Sequence, residues 1–384
     1  MSVQTAKRLE TVEEYYFSVK LREVRGLIAS GKPVINMAIG SPDLDPPKVV
    51  LEAISVAVLE DGAHKYQSYQ GLPQLRSAIA DFYTKNYQVS VDAEQEILPL
   101  MGSKEGIMHI TMAYINEGDQ VLIPNPGYPT YTSVTKLVGG TPLYYDLSAD
   151  RNWEPDLDAL AKQDLSKVKL MWVNYPHMPT GASGNKALFE RLIAFAKAHD
   201  IIIINDNPYS FVLNDTPRSI LSVDGAKEVA LELNSLSKTF NMAGWRVGMV
   251  CGSVDKINAI LKVKSNMDSG MFFGIQKGAI AALQLGYEWY AAMDTVYTKR
   301  RLLIWELASL LNCTFDKTAT GMFVWAKLPE GSVPAEQFID KILYEKDIFI
   351  TPGTIFGSQG AGYIRFSLCV TEENIKKAID RISN

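Results

Sequence analysis

The amino-acid sequence predicts an α/β protein, in which a large domain with a mainly parallel sheet between helices is joined to a smaller α+β domain. From about residue 75 to residue 275, apolar strand-like runs alternate with helical patterns, as in parallel sheets that are covered on both faces. Beyond residue 275 a long helical stretch precedes short strands, so the character of the chain changes there. With 384 residues, 47% of them apolar, the chain is long enough for two domains.

The elements of the large domain follow from these patterns. Short apolar runs predict the strands Gln120–Ile123, Val168–Val173, Ile201–Ile204, Val229–Leu233 and Val247–Cys251. Apolar residues that recur with helical spacing predict the helices Gly106–Ile115, Lys186–His199 and Asp255–Lys264.

The smaller domain is predicted from the C-terminal part of the chain. Its elements are a helical stretch from Gln276 to about Leu311, the strand-like segments Gly321–Leu328, Ile348–Thr351 and Tyr363–Leu368, and a helix at Glu372–Ile382. The early apolar segment Val34–Gly40 is expected to pack with it. The predicted division is an N-terminal arm with part of the small domain (1–47), a large ligand-binding domain (48–275) and a small C-terminal domain (276–384).

Composition and motifs argue against several classes of protein. The formal charge of -5 is mild and no block of like charge occurs, so nothing suggests a nucleic-acid or membrane surface. The N-terminal residues lack the apolar core of a signal peptide, and no apolar run reaches the roughly 18 residues of a membrane span. Three scattered cysteines and four histidines without ligand spacing predict neither a disulfide framework nor a metal site. We therefore expect a cytoplasmic protein without a bound metal.

Polar residues follow one predicted strand after another, and ligands of parallel sheets bind beyond the carboxyl ends of the strands. The most informative of these residues is Lys238, which follows the strand Val229–Leu233. A buried amine is costly unless it is paired or used chemically, and it would readily lose its proton and become a nucleophile that forms a Schiff base. A surface lysine in a Ser/Thr turn is the open alternative.

Two segments are suited to a phosphate. The turn Gly102-Ser103-Lys104 precedes a helical pattern, and the N-terminus of a helix offers free backbone N–H groups to an anion. Arg246 lies among glycines shortly after Lys238. An ordinary helix start, with Ser103 as the capping residue, explains the first segment equally well.

Asp206 and Tyr128 are suited to a protonated aromatic ring. Asp206 ends an apolar strand, so its carboxylate needs a cation or several donors, and a pyridinium nitrogen is one such cation. At an effective dielectric of about 20 and a separation of about 3 Å, Coulomb's law gives roughly 5 kcal/mol for such a pair. Tyr209 could donate its hydroxyl to a ring oxygen, and Tyr128 could stack on the ring. A turn-capping role for Asp206 and ordinary packing of Tyr128 stay open.

Arg365 stands in an apolar strand, where its planar guanidinium could bind a carboxylate or form a structural ion pair. One cofactor accounts for all of these residues. An aldehyde for Lys238, a pyridinium for Asp206 and a phosphate for Arg246 together describe pyridoxal 5′-phosphate. Arg365 would then bind the α-carboxylate of an amino-acid substrate.

These motifs resemble those of the class I/II aminotransferases of fold type I, from about Val34 to the C-terminus. The resemblance is most specific over 235–248, which reads S-L-S-K-T-F-N-M-A-G-W-R-V-G. The segments Gly102–Gly106 and Pro126–Pro129 are most similar to the branch of the diaminopimelate aminotransferases. The resemblance implies transfer of the amino group of an L-amino acid to a 2-oxo acid, with Lys238 as the catalytic residue that holds pyridoxal 5′-phosphate.

The resemblance also implies a homodimer with shared active sites. Tyr66 would reach the cofactor phosphate of the partner subunit, and Ser235 would assist Arg246 at the phosphate. Gly40 would offer its backbone to the substrate carboxylate, and an N-terminal tyrosine, Tyr15 or Tyr16, would line the pocket.

Met178 departs from the family pattern, which usually has Asn before Pro-Thr-Gly. That Asn donates a hydrogen bond to the phenolic oxygen of the cofactor, and methionine has no donor to offer. Losing the bond costs about 1.5–3 kcal/mol unless another group, such as Asn174 or Tyr209, replaces it. We therefore expect the imine of Lys238 to keep its proton to higher pH than in relatives that carry Asn.

Two other functions remain open at this stage. The same cofactor and the same lysine serve C–S β-lyases and related elimination enzymes. A ligand-sensing regulator built on an aminotransferase-like body would need an added DNA-binding domain, and the N-terminal segment is short and not strongly basic. The amino acid and the 2-oxo acid cannot be identified from these motifs.

Overall fold

The computed structural model describes residues 3–10 and 16–384. Within these ranges the α-helices are α1 Tyr16–Ala29, α2 Lys48–Ala57, α3 Pro73–Tyr87, α4 Ser103–Tyr114, α5 Pro129–Leu137, α6 Leu157–Leu160, α7 Lys186–His199, α8 Ala226–Val229, α9 Leu236–Thr239, α10 Val254–Lys264, α11 Phe273–Leu283, α12 Tyr287–Leu310, α13 Ala335–Lys346 and α14 Glu372–Ser383. The strands are β1 Ile35–Asn36, β2 Ile97–Leu100, β3 Gln120–Asn125, β4 Thr141–Asp146, β5 Val168–Val173, β6 Ile202–Asp206, β7 Ala230–Ser235, β8 Gly248–Gly252, β9 Thr314–Phe315, β10 Phe323–Lys327, β11 Ile348–Phe349, β12 Thr351–Pro352 and β13 Tyr363–Ser367.

A seven-stranded sheet forms the centre of the large domain, with the strand order β2-β8-β7-β6-β5-β3-β4. The neighbours from β4 to β7 are parallel, while β8 runs antiparallel to both β7 and β2. The apolar runs that predicted β5, β6 and β7 are buried almost throughout, as a sheet covered on both faces requires. The predicted mainly parallel sheet is therefore confirmed.

The strand directions determine which ends of the strands meet at one edge of this sheet. Because β2 and β7 are both antiparallel to β8, they run in the same direction as the parallel strands. The carboxyl ends of β2 to β7 and the beginning of β8 consequently meet at one edge. Strands β2 and β4 were not predicted from the sequence, and β2 is the strand that leads into the Gly102 turn.

The smaller domain combines two small sheets with helices. Strands β12-β13-β10-β9 form an antiparallel sheet, and β1 pairs in parallel with β11 through Ile35 and Ile348. The early apolar segment therefore packs with the C-terminal part of the chain, as predicted. Its core contains Met37, Phe349 and Phe366, all fully buried.

One predicted element is wrong. The helical stretch from Gln276 to Leu311 consists of two helices, α11 and α12, separated at 284–286, where Gly286 has an extended backbone. Helix α11 packs against α2 and α3 of the large domain, whereas α12 packs against α14.

The boundary between the predicted segments 48–275 and 276–384 stays a prediction. Across 3–10 and 16–384, no helix is long and apolar enough to cross a membrane.

Candidate active site

A cavity of about 400 Å³ lies at the sheet edge where the carboxyl ends of the strands meet. It is bounded on the other side by residues of the small domain. Most of the residues that the sequence selected line it, namely Gly40, Ser103, Lys104, Tyr128, Asn174, Asp206, Tyr209, Ser235, Lys238, Arg246 and Arg365. Segments that are far apart along the chain thus contribute to one site.

Lys238 lies in the short helix α9, directly after β7. Its Nζ donates a hydrogen bond to the carbonyl oxygen of Gly40 at 2.5 Å. Burial lowers the pKa of the Lys238 amine, and the guanidinium groups of Arg365 and Arg246 lower it further. A larger share of this amine is therefore unprotonated, as a nucleophile requires.

Asp206 ends β6 with its carboxylate in the cavity. Its Oδ2 accepts a hydrogen bond from the Tyr131 hydroxyl at 2.8 Å, while its buried Oδ1 has no partner among the described residues. Burial raises the pKa of Asp206 to about 7, although the bond from Tyr131 acts in the opposite direction. An unpartnered acceptor facing a cavity fits a ring N–H such as that of a pyridinium, which would supply both the donor and the missing positive charge.

Tyr131 is a site residue that the sequence reasoning missed. Its ring stacks on Trp172 at 4.8 Å and meets Tyr128 edge-on at 5.6 Å. Because Pro129 begins α5, Tyr131 lies in the first helical turn, three residues after Tyr128. That spacing was the available signal, since residues three apart on a helix lie on the same side.

The opposite end of the cavity offers an anion site. Gly102 has a φ of +89°, and a Cβ there would lie 2.2 Å from Nη2 of Arg246, so the guanidinium rests directly against this turn. Helix α4 begins at Ser103, and its first N–H groups lack partners within the helix. Lys104 is exposed beside them.

Two serines complete this end. The Ser235 side chain caps α9 by accepting from the Ser237 N–H at 3.1 Å, and the two hydroxyl oxygens are 2.8 Å apart. Ser237 lines the cavity as well. The sequence reasoning did not select it, although its place directly before Lys238 was a usable signal.

Arg365 is buried at the small-domain wall of the cavity. Its Nη2 donates to the carbonyl oxygen of Ala38 at 2.8 Å, and its guanidinium carbon lies 4.0 Å from the centre of the Phe323 ring and 4.7 Å from that of Phe356. A cation held by aromatic rings and one carbonyl keeps its planar face fixed, which suits a bound carboxylate.

Met178 also lines the cavity, with its sulfur 3.4 Å from Nη1 of Arg365. Its backbone N–H donates to Oδ1 of Asn174 at 2.7 Å, and Nδ2 of Asn174 donates to the backbone carbonyl of Asp206. Both ends of the Asn174 amide are therefore engaged with the backbone. Tyr209, whose ring packs edge-on against Phe323 at 5.7 Å, is the other predicted replacement for the missing donor.

Tyr66, which the sequence also selected, does not line the cavity. Tyr66 is 90% exposed on the surface of the chain. Tyr15 lies outside the described residues, and so does the side chain of Tyr16. The absence of a metal stays a prediction. Ligand atoms of Glu105, His109 and Asp268 lie within 4.8 Å of one another, but the ammonium of Lys264 forms ion pairs with both carboxylates.

Comparisons with known proteins agree with this geometry. Residues 32–382 match the family model of aminotransferase class I and II. The chain is 39% identical to an LL-diaminopimelate aminotransferase of Aquifex aeolicus, over 98% of each chain. It is also 39% identical to one of Dehalococcoides mccartyi strain 195, over 100% of this chain and 99% of the relative. The substrate-bound structure of BacF from Bacillus subtilis superposes with a TM-score of 0.93 at 34% identity, covering 100% of this chain and 97% of that one.

Proposed function

The chain belongs to the class I and II aminotransferases, which use pyridoxal 5′-phosphate, and on that premise we propose that its amino donor is LL-diaminopimelate. The observation that carries the proposed donor is the 39% identity to LL-diaminopimelate aminotransferases over almost the whole chain. The meeting of Lys238, Asp206 and Arg365 in one cavity supports the transfer of an amino group. The β-lyase alternative is not favoured, since these relatives and the matching family are aminotransferases.

Lys238 is the proposed catalytic residue. When bound, the cofactor supplies an aldehyde for an amine and a ring that accepts electrons. The Lys238 amine would hold the cofactor at its aldehyde and, when free, would move the substrate α-proton as general base and acid. The unpartnered Oδ1 of Asp206 would accept the ring N–H, while the Tyr131 hydroxyl donates to the other carboxylate oxygen.

Arg365 is the proposed ligand of the substrate α-carboxylate, together with the backbone of Gly40. The hydrogen bond to Ala38 and the two aromatic rings hold the guanidinium in place before the substrate arrives. Tyr128 is proposed to stack on the cofactor ring, and Tyr209 is proposed to donate one hydrogen bond to its phenolic oxygen, without replacing the additional bond that the usual Asn would give. Asn174 then acts indirectly, by holding the backbone of Met178 and Asp206.

Ser103, Lys104, Ser235 and Arg246 are the proposed phosphate ligands. We further propose a cytoplasmic homodimer, in which Tyr66 reaches the phosphate of the partner subunit and Tyr16 lines the substrate pocket. The exposure of Tyr66 supports the dimer, as do the nearby apolar side chains of Val56 and Leu59, which are 64% and 85% exposed.

The proposal is tested by a single-turnover experiment on the purified holoenzyme. Each amino acid is added separately and the absorbance of the cofactor is followed. We expect LL-diaminopimelate to convert the cofactor to its amine form, while Lys238→Ala protein gives no conversion. Conversion by aromatic or other amino acids, with none by LL-diaminopimelate, would refute the substrate assignment. Release of pyruvate and ammonia without the amine form would instead indicate a lyase.

A further inference from the structure

A buried cluster of charged side chains lies behind the turn that opens α4. Lys264, the last residue of α10, has no exposed surface. Its ammonium is ion-paired with Asp268 and lies 3.7 Å from a carboxylate oxygen of Glu105. Glu105 is the third residue of α4, and only 16% of its side chain is exposed. Such a lysine is costly to bury unless its carboxylate partners surround it.

Glu105 holds the shape of the turn in front of it. Its Oε2 accepts the backbone N–H of Met101 at 2.5 Å, and its Oε1 lies 3.0 Å from Nε2 of His109. Met101 directly precedes Gly102, the residue whose α-carbon faces the Arg246 guanidinium. The carboxylate therefore fixes the backbone that contributes the N–H groups of the proposed phosphate site.

The same carboxylate opposes the binding of an anion. Its negative charge repels a phosphate, and a buried charge is only weakly screened by salt. Lys264 supplies the compensating positive charge. Asp268 holds this ammonium in place, since its other oxygen accepts the Gly270 N–H at 2.7 Å. Burial raises the pKa of Asp268, but the hydrogen bonds from Lys264 and Gly270 outweigh it and hold this pKa below its usual value.

We propose that Lys264 is a positioning residue, which neutralises Glu105 and thereby sets the affinity of the Gly102–Lys104 turn for the cofactor phosphate. The proposal rests on the proposed function, because it takes this turn as the phosphate site. Glu105, Lys264 and Asp268 do not line the cavity, so Lys264 acts through the turn and not by contact with the cofactor.

The test compares two ligands on the full-length protein after removal of its cofactor. Dissociation constants are measured for pyridoxal 5′-phosphate and for pyridoxal, which lacks the phosphate, by the quenching of tryptophan fluorescence. Their ratio is the phosphate preference. We expect Lys264→Met to lower this preference about tenfold, with the affinity for pyridoxal unchanged.

Lys256→Met is the matched control. Lys256 lies on the same helix and is 6% exposed, but its Nζ donates to the Glu228 carbonyl at 2.8 Å and to the Ser253 hydroxyl at 3.0 Å, away from the turn. We expect this variant to keep the phosphate preference of the wild type. Equal losses in both lysine variants would refute the specific role of Lys264.

Two double variants keep the test decisive if Lys264→Met does not fold. Glu105→Gln/Lys264→Met and Lys264→Met/Asp268→Asn each remove the lysine and one carboxylate, so they have the same net charge. We expect the first to regain the wild-type phosphate preference, because the carboxylate that contacts the turn is removed and the remaining one, Asp268, binds the Gly270 N–H instead. The second should retain the loss of about tenfold, because Glu105 keeps its negative charge behind the turn without the ammonium of Lys264.

Several results would overturn the proposal. One is an equal phosphate preference in the two double variants. The others are a phosphate preference in Lys264→Met that equals that of the wild type, and an equal loss of affinity for both ligands in Lys264→Met. A wild-type protein that binds neither ligand would instead refute the proposed function. The two failures are therefore distinguishable.

Discussion

At the scale of the residue, the site is built from groups whose surroundings change their chemistry. Burial lowers the pKa of the Lys238 amine and raises that of the Asp206 carboxyl, so that it favours the neutral form of both groups. For Lys238 this favours a nucleophile, and for Asp206 it shows that the buried carboxylate lacks a compensating positive charge, which a protonated ring nitrogen would supply. Met178 offers no hydrogen-bond donor to the site, because a thioether is only a weak acceptor. Its sulfur faces Arg365.

Met178→Asn is expected to lower the pKa of the Lys238 imine. This pKa is read from the absorbance of the holoenzyme as a function of pH. An Asn amide would stabilise the phenolic oxygen of the cofactor by about 1.5–3 kcal/mol, which corresponds to a pKa lower by about one to two pH units. Met178→Leu is the control, because it keeps the volume and adds no donor, and its pKa should match the wild type. An unchanged pKa in Met178→Asn would show that another group already supplies the bond.

At the scale of the element, the site depends on where strands end and helices begin. The sequence predicted β3, β5, β6, β7 and β8 within a few residues, and Lys186–His199 is the helix α7 with the predicted bounds. These elements are recognisable because their apolar periodicity is local. The single helical stretch after Gln276 was wrong because its two halves pack against different domains, which no local pattern reports. Strands β2 and β4 were missed for a related reason, since their stability depends on their neighbours in the sheet.

The Gly102 turn gives a test at this scale. In Gly102→Ala the new Cβ would lie 2.2 Å from Nη2 of Arg246, so the guanidinium must move away from the phosphate site. We expect the affinity for pyridoxal 5′-phosphate to fall by at least about tenfold, measured by equilibrium dialysis. Gly118→Ala separates this collision from backbone strain, because Gly118 has a φ of +90° and a Cβ there would meet no atom within 4 Å. Similar affinities in the two variants would rule out the collision as the cause.

At the scale of the whole molecule, the sheet buries an acid that the site does not use. Glu232 on β7 has no exposed surface, and its Oε2 accepts the Ile220 N–H at 2.9 Å. Burial raises the pKa of Glu232 to about 7, although its hydrogen bonds act in the opposite direction. The folded protein therefore prefers the protonated acid, and this contribution to stability is lost as the pH rises from the unfolded pKa toward and through 7.

Urea unfolding of the wild type and of Glu232→Gln at pH 5 and pH 8.5 measures this contribution. We expect the free energy of unfolding of the wild type to fall at the higher pH by up to about 3 kcal/mol more than that of the variant. The comparison cancels other titrating groups, among them His177, whose pKa burial lowers to about 3. Parallel pH profiles for the two proteins would mean that Glu232 titrates normally in the folded state.

Local sequence was sufficient for the fold class and for most of the chemistry. Apolar runs identify buried strands, polar residues at their ends identify the ligand edge, and the S-L-S-K segment identifies the lysine, because each is a pattern of neighbouring residues. Local sequence did not predict the contacts between segments that are far apart along the chain. The bond from Tyr131 to Asp206, the Arg365 contact with Met178 and the Lys264 pairing with Glu105 all depend on which elements become neighbours. That choice is made by the strand order and by the packing of helices on the sheet, which are long-range properties of the folded chain.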